Sequence, residues 1–173
     1  MVDLYVKASG EDCSFRLYPY QRLILRAMAR YKNVFLTFSR GTSKSFLDNL
    51  WNILECILYP NTKLAISAST KGQSAAIVEQ KVSEILTLIP ALNYEILKTS
   101  KVKDQFMVVF KNGSSFQNLA AKQSSRGMRF TGLTLEEIIE ADETMVQEVI
   151  LPTLAMMAKE IYMEDMCTLD ETL

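Results

Sequence analysis

A loop at residues 39–45 contains the residue types that bind phosphate. Its sequence is Ser39-Arg40-Gly41-Thr42-Ser43-Lys44-Ser45, and it lies between an apolar run and a segment with helical spacing. Between a strand and a helix, such a loop turns backbone N–H groups and the helix N-terminus toward phosphate oxygens. Lys44 is then placed to reach the β- and γ-phosphates of a nucleotide, and the Ser45 hydroxyl to bind Mg²⁺. The loop therefore predicts a nucleotide site made by all seven residues.

This loop departs from the GxxxxGK[ST] pattern at both glycine positions, which Phe38 and Ser43 occupy. A Cβ at position 43 crowds the loop if its φ is positive. A serine there can also serve as a helix N-cap through its hydroxyl. By itself the pattern is equally compatible with a turn rich in serine and lysine, so the rest of the chain has to decide.

Hydrolysis of a phosphoanhydride also needs carboxylates, to orient Mg²⁺ and to activate water. Two acidic pairs are available, Glu136-Glu137 and Asp142-Glu143. The first pair follows the strand-like run at residues 133–135, which predicts its position at a carboxyl strand end, where open α/β sheets bind ligands. The second pair stands at a predicted helix start, where acidic side chains complement the helix dipole. We therefore favour Glu136-Glu137 as the acidic pair of the site, with Asp142-Glu143 as the alternative.

The elements that must position these residues alternate between helices and strands. Helical spacing predicts helices at 19–31, 44–58, 70–88 and, apart from a break at Pro152, from 141 to the end. Apolar or alternating runs predict strands at 34–38, 63–67, 105–110, 115–119 and 133–135. Asn112-Gly113 between two of them is a hairpin signal. The pattern favours an α/β sandwich around a largely parallel sheet, with one β-hairpin insert.

Two of the predicted helices have apolar faces that should pack on the sheet. In the first helix these residues are Leu23, Ala27 and Met28; in the third they are Ala76, Ile77, Val82, Ile85 and Leu86. We expect both sets to be buried.

Composition excludes several classes of function. The chain has 173 residues, which indicates one domain with room for a core. No apolar stretch approaches the ~18–20 residues of a membrane span, and no leader peptide is recognisable. Cys13, Cys56 and Cys167 are far apart and histidine is absent, which argues against zinc, disulfides and histidine-dependent catalysis. We expect a cytosolic protein with free thiols.

Charge is distributed unevenly along the chain. Residues 1–129 contain 18 Lys/Arg and 9 Asp/Glu, whereas residues 130–173 contain 1 and 11. Solvated faces of opposite sign are the simpler interpretation. The alternative is that the basic part meets nucleotide or nucleic acid while the acidic part holds metal. Lys98, Lys101 and Lys103 are candidate DNA contacts by charge alone, and a solvated loop explains them equally well.

Six motifs between residues 17 and 155 follow one another in a familiar order. They are Leu17-Tyr18-Pro19-Tyr20-Gln21, the loop at 39–45, the stretch at 66–73, Lys111-Asn112-Gly113-Ser114, Arg126-Gly127-Met128-Arg129 with the run at 133–137, and Val149-Ile150-Leu151-Pro152. Together they resemble the ATPase domain of the large terminase subunit of tailed bacteriophages. The resemblance implies a P-loop NTPase fold of the ASCE/RecA-like class, a three-layer sandwich with a mainly parallel sheet.

The resemblance also implies roles for particular residues. Gln21 reads the adenine edge, Arg40 bridges phosphate and a carboxylate, Arg126 is an arginine finger for the neighbouring subunit, Glu136 is the Mg²⁺-side carboxylate and Glu137 is the catalytic base. Glu136 departs from the family's usual aspartate by one methylene. Simpler interpretations are a plain exposed helix residue for Gln21 and a surface position for Arg126 and Arg129.

The implied activity is Mg²⁺-dependent ATP hydrolysis that moves double-stranded DNA into a procapsid. The implied partners are the terminase small subunit, the portal protein and further copies of the chain in a ring, in the host cytoplasm and away from membranes. We expect residues 1–173 to be a single, incomplete ATPase domain without the nuclease domain. We also expect it to lack the family's coupling strand, because Thr168 and Thr172 have no strand-like context.

Three alternatives stay open. A helicase-like P-loop motor of another family would need a second RecA-like domain. A catalytically incompetent fragment would bind nucleotide, DNA, a small subunit or another copy without turnover. A purely structural α/β domain would require all six motif matches to be accidental.

Overall fold

The computed structural model describes residues 1–39, 41–68, 74–102, 105–119, 129–136 and 154–165. The helices are α1 (Val2–Ala8), α2 (Pro19–Arg30), α3 (Lys44–Leu58) and α4 (Ser74–Leu88), followed by a 3-10 helix (Pro90–Glu95). The strands are β1 (Asn33–Phe38), β2 (Lys63–Ala68), β3 (Ile96–Val102), β4 (Gln105–Phe110), β5 (Ser115–Leu119), β6 (Phe130–Glu136) and β7 (Leu154–Asp165). The predicted α/β class is confirmed.

These strands form one sheet with the order β1-β7-β6-β2-β5-β4-β3 in the described part of the chain. Five neighbouring strands are parallel to one another: β1, β7, β6, β2 and β5. The strands β4 and β3 continue the sheet beyond β5 with antiparallel pairing. Parallel strands of one sheet need crossover connections, and α3 lies in the one that leads from β1 to β2. The carboxyl ends of the parallel strands therefore share one edge of the sheet, where α/β proteins bind ligands.

Helix α3 is the central helix of the core, and its predicted bounds are confirmed. Apolar side chains all around it are buried, including Phe46, Leu47, Leu50 and Trp51. An α-helix with apolar side chains on most of its surface has to lie inside the protein. It ends where Tyr59 turns to an extended backbone just before Pro60. Helix α3 is 15 residues long. Neither it nor any other described helix is long and apolar enough to cross a membrane.

The predicted hairpin is confirmed, with β4 and β5 at the predicted bounds. Gly113 has φ +85°, and a Cβ there would lie 2.6 Å from Asn61 Oδ1, so the turn favours glycine at this position. Asn112 donates its side-chain amide to the carbonyls of Cys56 and Ile57, at 2.7 and 3.2 Å. The Asn112 side chain thus fixes the hairpin turn to the end of α3.

The helix predicted for the end of the chain is wrong over residues 154–165, which form β7. Local preference misleads here, because Leu, Ala, Met, Lys and Glu are good helix formers. Pairing in the sheet overrides that preference: β7 is parallel to β1 on one side and to β6 on the other. A strand therefore follows the acidic pair, and it lies between β1 and β6. Thr168 and Thr172, on which the expectation of a missing coupling strand rests, lie outside the described residues.

Three smaller predictions also need correction. Residues 96–102 form the edge strand β3 rather than a loop, and Lys101 on it forms an ion pair with Glu79 of α4. Leu23 is 68% exposed, because α2 turns Gln21, Leu25 and Met28 inward. In α4, Ala76 and Ile77 are exposed while Val82 and Ile85 are buried. The buried face of α4 begins at Ala75, one residue before the predicted Ala76. It continues through Val78, Val82 and Ile85 to Ile89, which follows the helix.

Candidate functional site

The connection from β1 to α3 has the strand–loop–helix layout predicted for a phosphate loop. Phe38 ends β1 in the core and Lys44 begins α3. Within the loop, Gly41 has φ +85°, and the Thr42 hydroxyl donates to the carbonyl of Ser39 at 2.7 Å. This bond folds the exposed loop back on itself. The loop is thus a compact turn at the carboxyl edge of the sheet.

Ser43 has the left-handed backbone that the sequence analysis treated as a risk. Its φ and ψ are 61° and 33°, a region that costs an L-residue roughly 1–2 kcal/mol. Ser43 is the N-cap of α3, yet its side chain makes no capping hydrogen bond. The hydroxyl therefore does not compensate for the strain as expected. Position 43 has the conformation for which the pattern specifies glycine.

Lys44, Ser45 and Glu136 meet at the same edge of the sheet. Leu36 on β1, Met163 on β7 and Glu136 on β6 lie level with one another, so Glu136 stands one strand away from the strand that feeds the loop. Glu136 is half-buried and is the last residue of β6. The position predicted for the metal-side carboxylate is thus next to the helix that carries the lysine and the serine.

Helix α3 is fixed over β6 by polar side chains. Asn52 donates its amide to Thr134 Oγ1 on β6 at 3.4 Å and to the Asp48 carbonyl at 2.9 Å. Lys44 and Asp48 lie two turns and one turn before Asn52 on the same face of the helix. This face consequently carries lysine, aspartate and asparagine from the loop toward the middle of the sheet.

Asp48 is the residue that the sequence analysis missed. It is fully buried in α3, and the Glu136 carboxyl and the Lys44 ammonium lie beside it. Burial raises the pKa of Asp48 well above its ordinary value, the neighbouring Glu136 carboxyl raises it further, and Lys44 lowers it. One signal was visible in the sequence: Lys44, Asp48 and Asn52 recur every four residues in a largely apolar helix.

The oxygen atoms around Asp48 fit a divalent cation. Neither Asp48 carboxyl oxygen accepts a hydrogen bond from a donor among the described residues, and the same holds for Glu136 Oε1. No group of three or more His, Cys, Asp or Glu residues suited to a metal occurs within the described ranges. Mg²⁺ commonly uses only one or two carboxylates together with substrate phosphates and water. Glu136, the Ser45 hydroxyl and Asp48 are donors of this kind.

Gln21 is not the exposed helix residue of the simpler interpretation. Only 5% of it is exposed, and its Oε1 accepts a hydrogen bond from the Tyr18 backbone N–H at 2.9 Å, as part of a capping box at the start of α2. The rings of Tyr18 and Tyr20 stack with centroids 6.0 Å apart. The Tyr20 hydroxyl donates to the Thr42 carbonyl at 3.4 Å, which joins this segment to the loop.

Several predicted residues lie outside the described part of the chain. Arg40, Arg126 and Glu137 are among them, so their roles stay predictions. The same applies to the alternative pair Asp142-Glu143, to Lys103 and to the proline motif at 149–152. Arg129, by contrast, is described and is exposed.

A parallel sheet with a phosphate loop at its carboxyl edge, and an acidic residue ending a nearby strand, defines the fold class as a P-loop NTPase. Among solved structures, the HK97 bacteriophage large terminase has a similar fold, with TM-score 0.70, 18% identity, and 95% of this chain and 37% of that chain covered. The large terminase of a thermophilic bacteriophage gives TM-score 0.68 and 12% identity, covering 86% and 39%. The large terminase ATPase domain of Thermus phage P74-26 gives 0.63 and 16%, covering 88% and 66%.

The same thermophilic bacteriophage terminase has also been solved with ATP-gamma-S and with ADP. This chain spans 39% of the thermophilic bacteriophage protein and 37% of the HK97 chain. Neither a scan against models of protein families nor a search of curated proteins finds a match. At these identities the structural similarity identifies the fold.

Proposed function

We propose that this chain is the ATP-binding and ATP-hydrolysing motor domain of a phage DNA-packaging terminase. The observation that carries the proposal is the meeting of the phosphate loop with the Glu136 strand end. Lys44 and Ser45 begin α3 there, and Glu136 and Asp48 lie together in the same place. The similarity to terminase ATPase domains supports the assignment, and the nucleotide complexes of the thermophilic bacteriophage terminase support ATP as the ligand.

The residues of the loop divide the work of binding the triphosphate. Backbone N–H groups of residues 39–45 and the first turn of α3 bind phosphate oxygens. The Lys44 ammonium contacts the β- and γ-phosphates, and Ser45 with Glu136 would hold Mg²⁺. A Mg²⁺ ion held there would supply positive charge against the negative charge that develops during phosphoryl transfer.

Three further residues complete the proposed chemistry. Glu137 accepts the proton of the attacking water as general base. Arg126 stabilises transition-state charge in a neighbouring subunit, a contribution of roughly 10³–10⁵ in rate where such a finger operates. Arg40 connects the phosphates with a carboxylate and so couples hydrolysis to movement.

The adenine base is proposed to bind beside the start of α2. Gln21 Oε1 already accepts a hydrogen bond from the Tyr18 backbone N–H. The Gln21 amide NH₂ is therefore the group that would donate a hydrogen bond to a ring nitrogen of the base. The contact between Tyr20 and Thr42 places this segment next to the loop. Gln21 thus helps to bind ATP through its remaining donors.

In the complete machine, the proposed partners are double-stranded DNA, the terminase small subunit, the portal protein and further copies of the chain in a ring in the host cytoplasm. A helicase-like motor remains an alternative with the same loop chemistry. A nucleotide-binding module without turnover is the other alternative. Its main support is the expected absence of the family's coupling strand, which stays a prediction because Thr168 and Thr172 lie outside the described residues.

The test is ATP hydrolysis with and without Mg²⁺ and duplex DNA, by the parent chain and by Lys44→Ala and Glu137→Gln. We expect Lys44→Ala to lower turnover by about 10²–10³, because a transition-state donor is lost. Glu137→Gln should lower it by about 10²–10⁴, because the base is lost while binding persists.

Lys63→Ala is the matched control, since Lys63 is exposed at the start of β2, away from the loop. It should hydrolyse ATP like the parent. If Asp142→Asn or Glu143→Gln abolished turnover while Glu137→Gln did not, the other acidic pair would contain the base. A parent that neither binds nor hydrolyses ATP would refute the proposal.

A further inference from the structure

Asp48 is an acidic residue at a fully buried position of α3, where an apolar side chain would be the ordinary choice. It lies on α3 between the loop and the middle of the sheet, is fully buried, and faces the Glu136 carboxyl. Lys44 is the cation that lies beside this pair of carboxyl groups in the described structure. The Asp48 and Glu136 carboxyl groups lie within hydrogen-bonding distance of each other. Two acidic groups this close in a buried place need a shared proton or a bound cation between them.

The neighbouring amide side chains of α3 donate no hydrogen bond to the Asp48 carboxyl group. Asn52 donates to the Asp48 backbone carbonyl and to Thr134, and Asn49 donates to the Ser45 carbonyl at 2.7 Å. Both amides are thus used elsewhere. Neither oxygen of the Asp48 carboxyl accepts a hydrogen bond from a donor in the described ranges. The partner of the Asp48 carboxyl is the Glu136 carboxyl. Two acidic groups in contact, one helical turn from Lys44, form a place that a divalent cation can occupy instead of a shared proton.

We propose that Asp48 is the second carboxylate of the cation site, and that it binds, with Glu136, the divalent cation that accompanies the nucleotide. This inference rests on the proposed function and adds to it a residue that the loop pattern does not contain. Mg²⁺ is commonly bound through one or two carboxylates plus phosphates and water, so an aspartate and a glutamate at one strand end suffice. Asp48 also faces Glu136 from the helix side and so orients it toward the loop.

The test measures cation binding rather than turnover. Mn²⁺ is titrated into the parent chain and into Asp48→Asn, both without nucleotide and at saturating ADP, and bound Mn²⁺ is followed by electron paramagnetic resonance. We expect Asp48→Asn to lower the Mn²⁺ affinity about 10-fold or more, as the loss of a supporting carboxylate does at other metal sites. ADP affinity in EDTA should stay the same or increase, because a negative charge near the phosphates is removed.

Glu55→Gln is the matched control, since it makes the same change at another buried acidic residue of α3. It should leave Mn²⁺ affinity unchanged. Folding is checked by the melting temperature in EDTA, which Asp48→Asn should maintain or raise, because the close contact between two acidic groups in a buried place is removed. Mn²⁺ should then raise the melting temperature of the parent more than that of Asp48→Asn.

The outcomes separate this inference from the function on which it rests. If Asp48→Asn binds Mn²⁺ as tightly as the parent, Asp48 is a structural partner of Glu136 and the inference is wrong. If the parent binds no ADP, the proposed function fails, and the titration without nucleotide still decides the role of Asp48. A parent that binds Mn²⁺ in neither titration also refutes the inference.

Discussion

The loop departs from its pattern at the residue whose backbone most needs glycine. Ser43 has φ 61°, and its hydroxyl makes no capping bond that would offset the strain. Gly41, two residues earlier, has φ +85° and is a glycine. Among the described residues of the loop, two positions are therefore left-handed, and the one occupied by serine is strained. Strain that persists at a ligand site is a reason to examine function at that residue.

Replacing Ser43 by glycine should stabilise the protein. The Ser43→Gly variant removes roughly 1–2 kcal/mol of left-handed strain, partly offset by the greater freedom of glycine in the unfolded chain. We expect a net gain of about 0.5–1 kcal/mol in the free energy of unfolding, measured by urea denaturation. Nucleotide affinity should be unchanged or higher.

Gly41→Ala supplies the comparison, because it introduces a Cβ at the other left-handed position, where no atom lies within 4 Å. It should destabilise the protein by about 1 kcal/mol through backbone strain alone. A Ser43→Gly protein that is less stable than the parent would show that the serine makes a contribution beyond its backbone conformation.

Of the residues in the candidate site, the sequence predicted some and missed Asp48, for a physical reason. Lys44, Ser45 and Glu136 were identifiable because loop chemistry and strand ends have local signatures. Asp48 was not, since an aspartate within a helix is usually a solvated residue. Only the position of α3 over β6 shows that this side chain faces Glu136. Charges brought together by tertiary packing leave weak traces in sequence.

At the scale of elements, short polar contacts attach α1 to the rest of the domain. The Tyr5 hydroxyl donates to Glu95 Oε1 of the 3-10 helix at 2.8 Å, and the Ala91 backbone N–H donates to Ser9 Oγ at 2.9 Å. Val2 and Val6 pack against the core beside them. A seven-residue helix is unstable alone, so these contacts decide whether α1 forms.

The contact between Tyr5 and Glu95 should make the docking of α1 depend on alkaline pH. Burial, the hydrogen bond and the charge of Glu95 raise the pKa of Tyr5 from 10.0 to about 12. The folded state thus favours the protonated phenol. Its contribution is complete below the unfolded pKa of 10.0 and is lost as the pH rises through about 12. Tyr5→Phe should cost about 1 kcal/mol at neutral pH and abolish this part of the alkaline decline.

The measurement is urea denaturation of parent and variant across this pH window. Tyr94→Phe is the control, because Tyr94 lies in the same 3-10 helix and is 75% exposed. It should retain the decline of the parent. If Tyr5→Phe declined with pH as steeply as the parent, the bond to Glu95 would not be the cause.

Elements differed in how far the sequence predicted them. The bounds of α3, β4 and β5 were predicted correctly, because apolar spacing and the Asn-Gly turn are local signals that agree with the final packing. β7 was mistaken for a helix, because its composition favours helix and only two parallel neighbours make it a strand. Parallel pairing joins residues distant in sequence, so the local pattern does not specify it.

At the scale of the whole molecule, β7 is the strand that joins the loop to the acidic strand. Its pairing with β1 begins where Glu160 lies opposite Asn33 and ends where Asp165 lies opposite Phe38. Its pairing with β6 ends where Met163 lies opposite Glu136. Without it, β1 would lose its neighbour in the described sheet, and the phosphate loop would lose its fixed distance from Glu136. The fold and the site therefore depend on the same strand.

Two truncations test this dependence. A chain ending after residue 153 lacks β7, whereas a chain ending after residue 165 keeps every described pair of β7 with β1 and β6. The shorter chain should lose cooperative thermal unfolding and ADP binding, because β1 and its loop are no longer held beside β6 and unpaired strand edges are exposed. The longer chain should melt cooperatively, and ADP should raise its melting temperature as a ligand of the folded state. Circular dichroism melts with and without ADP measure both properties. Cooperative, ADP-stabilised melting of the shorter chain would mean that β1 and β6 are held together without β7.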